Sequence, residues 1–526
     1  MAAQKFKITY GTLSAANPEL HQAFDEAVAR AKDRFGATYP MFINGEERLA
    51  EQTFEDRSPI NHDWLLGNFQ KGTREHAAEA LAAARAAADG WRKTPWQDRV
   101  AMMRKAADLI SDRSMDIGAA VTLEIGKNRL EALGDVEETA DLIRWYCDEM
   151  ERNDGFIKPL NEESPKHHNT SVLKPYGVWV VISPFNFPFA LAGGPSGGAL
   201  VAGNAVVFKP ASDTPLSGWL LTECIRDAGV PAGVFNFVTG PGSTVGEELI
   251  TNNEVDGITF TGSFDVGMHI YRTFAAGAYP RPCIAEMGGK NATIVSRKAD
   301  LDKAAMGVMR SAFGLTGQKC SACSRVYVEE PVHEAFVQKL VDLTNKMAVG
   351  DPARQEIFMG PAANKGAYRD YQNFVEALHR DGDVLTGGKL LTEGDYGKGF
   401  FVAPTVVDNL PLDHELWKVE MFLPIVKVAG VESLEQAMAL ANDSVYGLTG
   451  GFFSEDPDEA RWYLDNIEAG VVYVNRPAGA TTGVAGLPAL RRLEGQRQHR
   501  QGRRRLLLRP AVHARAVADG DRLTRR

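Results

Sequence analysis

Two kinds of apolar pattern follow one another along the chain. Leu20, Phe24, Val28 and Phe35 recur at helical spacing behind Asn17-Pro18-Glu19, which offers a cap, a first-turn proline and an early acid. They predict an N-terminal amphipathic helix. Met41 to Glu46 reads as a hairpin with its turn at Asn44-Gly45, and Ser58 to Asn61 as a loop. Thr73 caps an Ala-rich helix reaching about Gly90, a second helix runs from Trp96 past Ile110, and a third from Glu137 to Met150.

The pattern then changes. Gly177 to Ile182 and Ala205 to Phe208 are unbroken apolar runs, as in a parallel strand covered on both faces, with a helical segment Gly193 to Val201 between them. Val234 to Val238 before Gly240-Pro241-Gly242, and Gly257 to Phe260 before Thr261-Gly262-Ser263, repeat the unit. This alternation predicts an α/β fold with a doubly wound parallel sheet, whose ligands bind beyond the carboxyl ends of the strands. A further series holds the helical run Ala304 to Phe313, the alternating strand Ser324 to Val328, strand and helix from Val328 to Val349, a turn at Asp381-Gly382-Asp383, and a last strand Gly470 to Asn475.

At 526 residues the chain has length for about three domains. Its 44% hydrophobic and 24% charged residues place it among globular proteins, and the net charge of -10 argues against nucleic acid as the main partner. No apolar run approaches the roughly 20 residues of a membrane helix, and Met1 to Lys7 lacks a signal-peptide core, so a cytoplasmic location is expected. Five scattered cysteines fit a reducing compartment, and Cys320-x-x-Cys323 has no second pair at zinc spacing, so no metal site is expected.

Cys320 is where the candidate chemistry centres. In Gly317-Gln318-Lys319-Cys320-Ser321 a thiol sits at a Gly-loosened helix-to-strand junction beside a lysine, where it is either a small buried hydrophobe or a nucleophilic thiolate. Glu286, in an apolar strand-like run, is either paired structurally or tuned as a general base. Gly262 to Gly267 opens a helix whose free N–H groups suit a phosphate, although a Gly-x4-Gly spacing also punctuates ordinary turns.

Six stretches in order carry a resemblance: Pro184-Phe185-Asn186-Phe187-Pro188, Phe208-Lys209-Pro210, Phe260-Thr261-Gly262-Ser263, Glu286-Met287-Gly288-Gly289-Lys290, Gly317-Gln318-Lys319-Cys320 and Glu420-Met421-Phe422-Leu423-Pro424. Together they resemble the aldehyde dehydrogenase superfamily over about residues 36 to 483. The chain is most similar to the delta-1-pyrroline-5-carboxylate (glutamate-semialdehyde) dehydrogenases, through the N-terminal helix, Asp141 to Tyr146, Cys320 to Arg325 and Asn475 to Gly483.

The resemblance implies a Rossmann-like NAD-binding domain at 37–286 after a helical extension at 1–36, with an oligomerisation hairpin about 151–175. It implies a catalytic α/β thiol domain at 287–468 and a return to the NAD-binding domain, with a substrate anchor loop, at 469–483. It implies NAD(P)-dependent oxidation of glutamate semialdehyde to glutamate in proline degradation. Cys320 attacks the aldehyde, the Asn186 amide and the Cys320 N–H hold the oxyanion, hydride goes to the nicotinamide, and Glu286 activates the water that hydrolyses the thioester.

By the same resemblance the cofactor contacts are Ser183, Phe185, Lys209, Ser212, Gly242, Gly246, Gly262, Ser263, Val266, Glu420 and Phe422, with Lys209 and Glu420 on the two riboses. The substrate contacts are Phe187, Ser321, Gly479 and Ala480, the last two through backbone N–H groups. Strictly NAD-dependent relatives carry Glu where this chain has Ser212, so NAD is expected with NADP tolerated. The other readings are a dehydrogenase for another semialdehyde and an inactive binding or structural protein. A homodimer or higher oligomer is implied if the C-terminus is intact.

After Gly483 the resemblance stops, and the continuation is rich in Arg and without Lys. The family segment Gln-Pro-Phe-Gly-Gly-Trp-Lys-Gly-Ser-Gly-Ser-Thr-Gly-Lys, written in G+C-rich codons behind one added C, regroups to read Pro488 to Gln501 as observed. A frameshift near Val484 to Leu487 is therefore expected, making 484–526 a poorly ordered tail that lacks the dimerising strand.

Overall fold

The computed structural model describes residues 17–161 and 169–482, together with the two-residue strand Val517–Ala518. It divides into two compact units: Met1–Ser58 with Asp63–Glu124 and Arg129–Glu286, and Pro59–His62 with Ile125–Asn128 and Met287–Arg526.

The first unit begins with the helix Pro18–Lys32, whose Asn17 cap accepts from the amides of Glu19 and Leu20. The hairpin Met41–Ile43/Glu46–Arg48 turns on Asn44 and Gly45 at φ 53° and 81°, the left-handed pair an Asn-Gly turn supplies. Its main sheet orders Cys283–Glu286, Gly257–Thr261, Val178–Ile182, Ala205–Lys209, Phe235–Phe237, Met41–Ile43 and Glu46–Arg48. The first five strands are parallel. All residues of Ala205–Lys209 are buried, which explains the unbroken apolar run.

The helices Arg74–Lys93 and Ala190–Ala202 pack on this sheet. The third expected helix starts earlier than its pattern suggested, at Arg129, because buried Ala132, Leu133 and Val136 extend its inner stripe. The strands Ile157–Pro159 and Thr170–Val172 form an exposed antiparallel hairpin.

The second unit has its own sheet, of eight strands. Its order is Asp383–Thr386, Thr405–Asp408, Ile425–Val431, Cys323–Glu329, Asn291–Val295, Thr449–Phe453, Val471–Val474 and Val517–Ala518, antiparallel only at the first pair. The expected return of 469–483 to the first domain is corrected here: Val471–Val474 pairs with Thr449–Phe453 at Thr449↔Val471, inside the second sheet. An apolar strand cannot declare its partner locally, and the pairing is decided by which sheet edge lies open. The expected tail at 484–526 lies outside the described residues except for Val517–Ala518, which runs parallel to Tyr473 and Val474. Among the described residues no helix is long and apolar enough to cross a membrane.

Candidate active site

In the first unit the chain lays down Val178–Ile182, then Ala205–Lys209 and Phe235–Phe237 on one side, and afterwards Gly257–Thr261 and Cys283–Glu286 on the other. The strand order reverses beside Val178–Ile182, which is where open α/β sheets leave a crevice beyond their carboxyl ends. Ser183, Phe185, Asn186 and Phe187 follow that strand, Lys209 ends its neighbour on one side, and Gly262 and Ser263 follow its neighbour on the other.

Ser183 donates its N–H to the Lys209 carbonyl at 3.2 Å, while its hydroxyl is buried without a hydrogen-bond partner. The Lys209 amine donates to the Pro210 carbonyl at 3.0 Å, and burial pulls its pKa down to about 8. An unpartnered hydroxyl and a buried amine satisfied by a single carbonyl are donor groups that suit a ribose or a pyrophosphate, so these residues fit NAD. Asn186 is 3% exposed, and its Oδ1 accepts from the Phe187 amide at 3.1 Å.

Glu286 is 8% exposed and pairs in register with Thr261. Its carbonyl accepts from the Gly262 amide at 3.0 Å, which corrects one expectation: Gly262's N–H is committed to the sheet edge and is not free for a phosphate. Ser212, Gly242, Ser263 and Val266 are exposed, whereas Gly246 is buried.

In the second unit Cys320 is half-buried between the turn Gly314–Gly317 and the strand Cys323–Glu329. Leu315 and Thr316 take φ of 49° and 57°, costly for side chains of their size, and Thr316 is held there by donating to the Gly360 carbonyl at 2.9 Å. Asn291 Nδ2 donates to the carbonyls of Cys320 and Ala322 at 2.7 and 2.9 Å. Thr481 Oγ1 donates to the Ser321 carbonyl at 2.7 Å. The thiol loop is thus pinned on two sides.

Glu420 accepts from the Gly289 amide at 2.7 Å; burial raises its pKa to about 7, against the pull of that amide and of the Lys290 charge. Gly288 and Gly289 must lack side chains, since a Cβ would strike the Glu420 carboxylate at one and the Cys320 carbonyl at the other. Phe422 follows Glu420 with φ 56°.

One substrate contact is corrected. The Ala480 N–H donates to the Gly307 carbonyl at 2.9 Å, and the Gly479 N–H reaches the Arg476 carbonyl at 3.4 Å, so Ala480 has no amide left for a substrate carboxylate. Asn291 and Thr481 were missed from sequence. Their only signal was position, Asn291 directly after Gly-Gly-Lys and Thr481 two places after Gly479.

Burial pushes the thiols of Cys147 and Cys224 up to about 12 and those of Cys283 and Cys323 up to about 11, which keeps all four protonated near neutral pH. Among the described residues no group of His, Cys, Asp and Glu is placed to hold a metal ion.

The Aldehyde dehydrogenase family model matches residues 46–487. A 1-pyrroline-5-carboxylate dehydrogenase of Geobacillus sp. (strain WCH70) is 36% identical over 471 residues, covering 88% of this chain and 90% of that protein. One of Bacillus mycoides (strain KBAB4) is 37% identical over 470 residues, 88% of this chain and 89% of its own. The crystal structure of 1-pyrroline-5-carboxylate dehydrogenase from Thermus with bound NAD superposes with a TM-score of 0.85 at 33% identity, covering 92% of this chain and 94% of that one. On the extent of these matches and the motifs located above, the chain belongs to the aldehyde dehydrogenase family.

Proposed function

We propose that the protein oxidises L-glutamate γ-semialdehyde, in equilibrium with 1-pyrroline-5-carboxylate, to L-glutamate in proline degradation. The observation that carries this reading is the contrast among thiols. Burial raises the pKa of four of them, and Cys320, half-buried like Cys283, is the thiol set on a loop held by Asn291 and Thr481. Relatives named for this activity, 36–37% identical along most of the chain, support the substrate.

Cys320 attacks the aldehyde carbon. The Asn186 side-chain amide and the Cys320 N–H receive the oxyanion, and losing one such donor costs about 3 to 4 kcal/mol of barrier. Bound NAD supplies the hydride acceptor, with Lys209 and Glu420 holding its riboses and Ser183, Phe185, Ser212, Gly242, Gly246, Ser263, Val266 and Phe422 around it. Glu286 takes the proton of the water that releases glutamate from the thiol. Phe187, Ser321 and the Gly479 amide contact the substrate. The exposed hairpin residues Ile157 and Val172, 46% and 44% exposed, are the surface we assign to a homo-oligomer.

NADH formation from pyrroline-5-carboxylate tests the reading, in the chain as given and in one with the frame after Val484 restored. Turnover that disappears in Cys320→Ala is expected. Absence of turnover in both chains removes the substrate. The committed Ala480 amide favours a second reading, oxidation of a semialdehyde lacking that carboxylate, which Ser321→Ala with unchanged KM would support.

A further inference from the structure

Two helices of the first unit begin directly after site loops, and neither caps itself. Ala190–Ala202 follows the Asn186 loop with Phe189 at its cap position, and Pro215–Asp227 follows the Lys209–Ser212 loop with Thr214 there; neither cap residue makes a side-chain cap hydrogen bond. The first amides of a helix left without acceptors in a buried setting are destabilising.

Carboxylates from distant sequence supply the acceptors. Asp135 Oδ1 accepts from the Ala190 amide at 2.8 Å, across 55 residues. Glu124 accepts from the Leu216 amide at 2.6 Å, across 92 residues, from the Ser217 amide at 3.1 Å, and from the Ser217 hydroxyl. Asp135 and Glu124 are 1% and 2% exposed. They lie on the helices Arg129–Arg152 and Ser114–Ile125, which carry none of the cofactor or substrate contacts.

Glu124 also meets Asp56, 5% exposed, from the strand Thr53–Arg57. Asp213, in the loop before Thr214, adds a further negative charge to Asp56. The charged group facing Glu124 is thus an acid, while its other partners are the neutral amides and hydroxyl of Leu216 and Ser217. Two carboxyls meeting in the dry interior share one proton, with Asp56 the donor and Glu124 left free to accept from the helix.

We propose that Glu124 and Asp135 are separate positioning residues, Glu124 with Asp56 fixing the Lys209–Ser212 cofactor loop and Asp135 fixing the Asn186 loop. Each helix N-terminus is a rigid end from which its loop is hung, so the geometry of Lys209 depends on one carboxylate and that of Asn186 on the other. The assignment of the two loops to cofactor and oxyanion rests on the proposed function; the separate anchoring does not.

Hydrogen exchange and direct NAD titration of the full-length protein, followed by intrinsic fluorescence, test this. Glu124→Ala, which removes both acceptor oxygens, is expected to speed exchange around 209–218 and weaken NAD binding by about tenfold, the effect of a lost helix cap, with kcat within about twofold. Asp135→Ala, which removes the acceptor, is expected to speed exchange around 186–192 and lower kcat by about tenfold or more, with the NAD Kd within about twofold. Asp56→Asn keeps a donor on Glu124 and is expected to retain the wild-type Kd. Acceleration of both loops by either single variant, or of neither by its own, overturns the proposal. A wild type whose loops respond separately but which does not oxidise pyrroline-5-carboxylate overturns only the activity.

Discussion

Each unit buries a pair of like-charged groups, and the two pairs are of opposite kind. The first buries Asp56 against Glu124, and the second buries Lys290 against Lys427, 2% and 0% exposed, with Arg325 beside them. Arg325 spends its donors on the neutral carbonyls of Lys290, Leu440 and Ala441 at 2.5 to 3.0 Å. Burial raises the two carboxyls and lowers the two amines, in each case toward the uncharged form. Each pair is also tied to an element next to a candidate cofactor residue. The acids anchor the helix after the Lys209 loop, and Lys290 acts on the Glu420 carboxylate. Desolvation alone does not choose a side; it pushes acid and base toward neutrality alike and so gives the two pairs opposite responses to pH.

The largest consequence is in the second unit. An unfolded lysine holds its proton up to about 10.5, while folded Lys290 releases it from about 7, so stability should be lost as pH falls from 10.5 toward 7. A shift of that size is worth about 3 to 5 kcal/mol, measurable as a rise in urea midpoint with pH. Lys427→Met should remove roughly half of that slope; an unchanged slope would show that the amines are compensated by some other group.

The acid pair of the first unit should slope the other way. Glu124 has its carboxyl raised from 4.5 to about 7, so its contribution is full below 4.5 and is lost as pH rises through 7, by about 3 kcal/mol. Asp56→Asn, which supplies a permanent donor, should flatten that fall. A fall just as steep in the variant would break the contrast.

A smaller effect tests the proposed ribose contacts. Lys209 carries its charge below about 8 and Glu420 above about 7, so NAD affinity should peak between those values and drop about tenfold per unit on either side. Affinity that is flat from pH 6 to 9 would mean that one of the pair does not touch the cofactor. The smallest concerns an exposed position of the same loop. Ser212→Glu places an acid where water screens it, and NADP turnover should fall several-fold with NAD turnover unchanged. Equal loss with both cofactors would place Ser212 away from the 2′-phosphate.

What the sequence by itself determined were the features written in short windows. Continuous apolar runs announced the buried strands, Asn44-Gly45 the hairpin turn, and Asn17 and Thr73 the helix starts, because caps and turns are made within a few residues of themselves. The motif stretches placed Cys320, Glu286, Asn186, Lys209 and Glu420 at strand ends and loops for the same reason.

Tertiary structure decided everything that needed a distant partner. It gave Val471–Val474 to the second sheet, spent the Ala480 amide on Gly307, and turned Asn291 into the brace of the thiol loop. It also made Glu124 and Asp135 the caps of helices whose bonded amides lie 92 and 55 residues further on. A hydrogen bond is satisfied by whichever acceptor the folded chain brings within 3 Å. Local periodicity carries no record of which one that is.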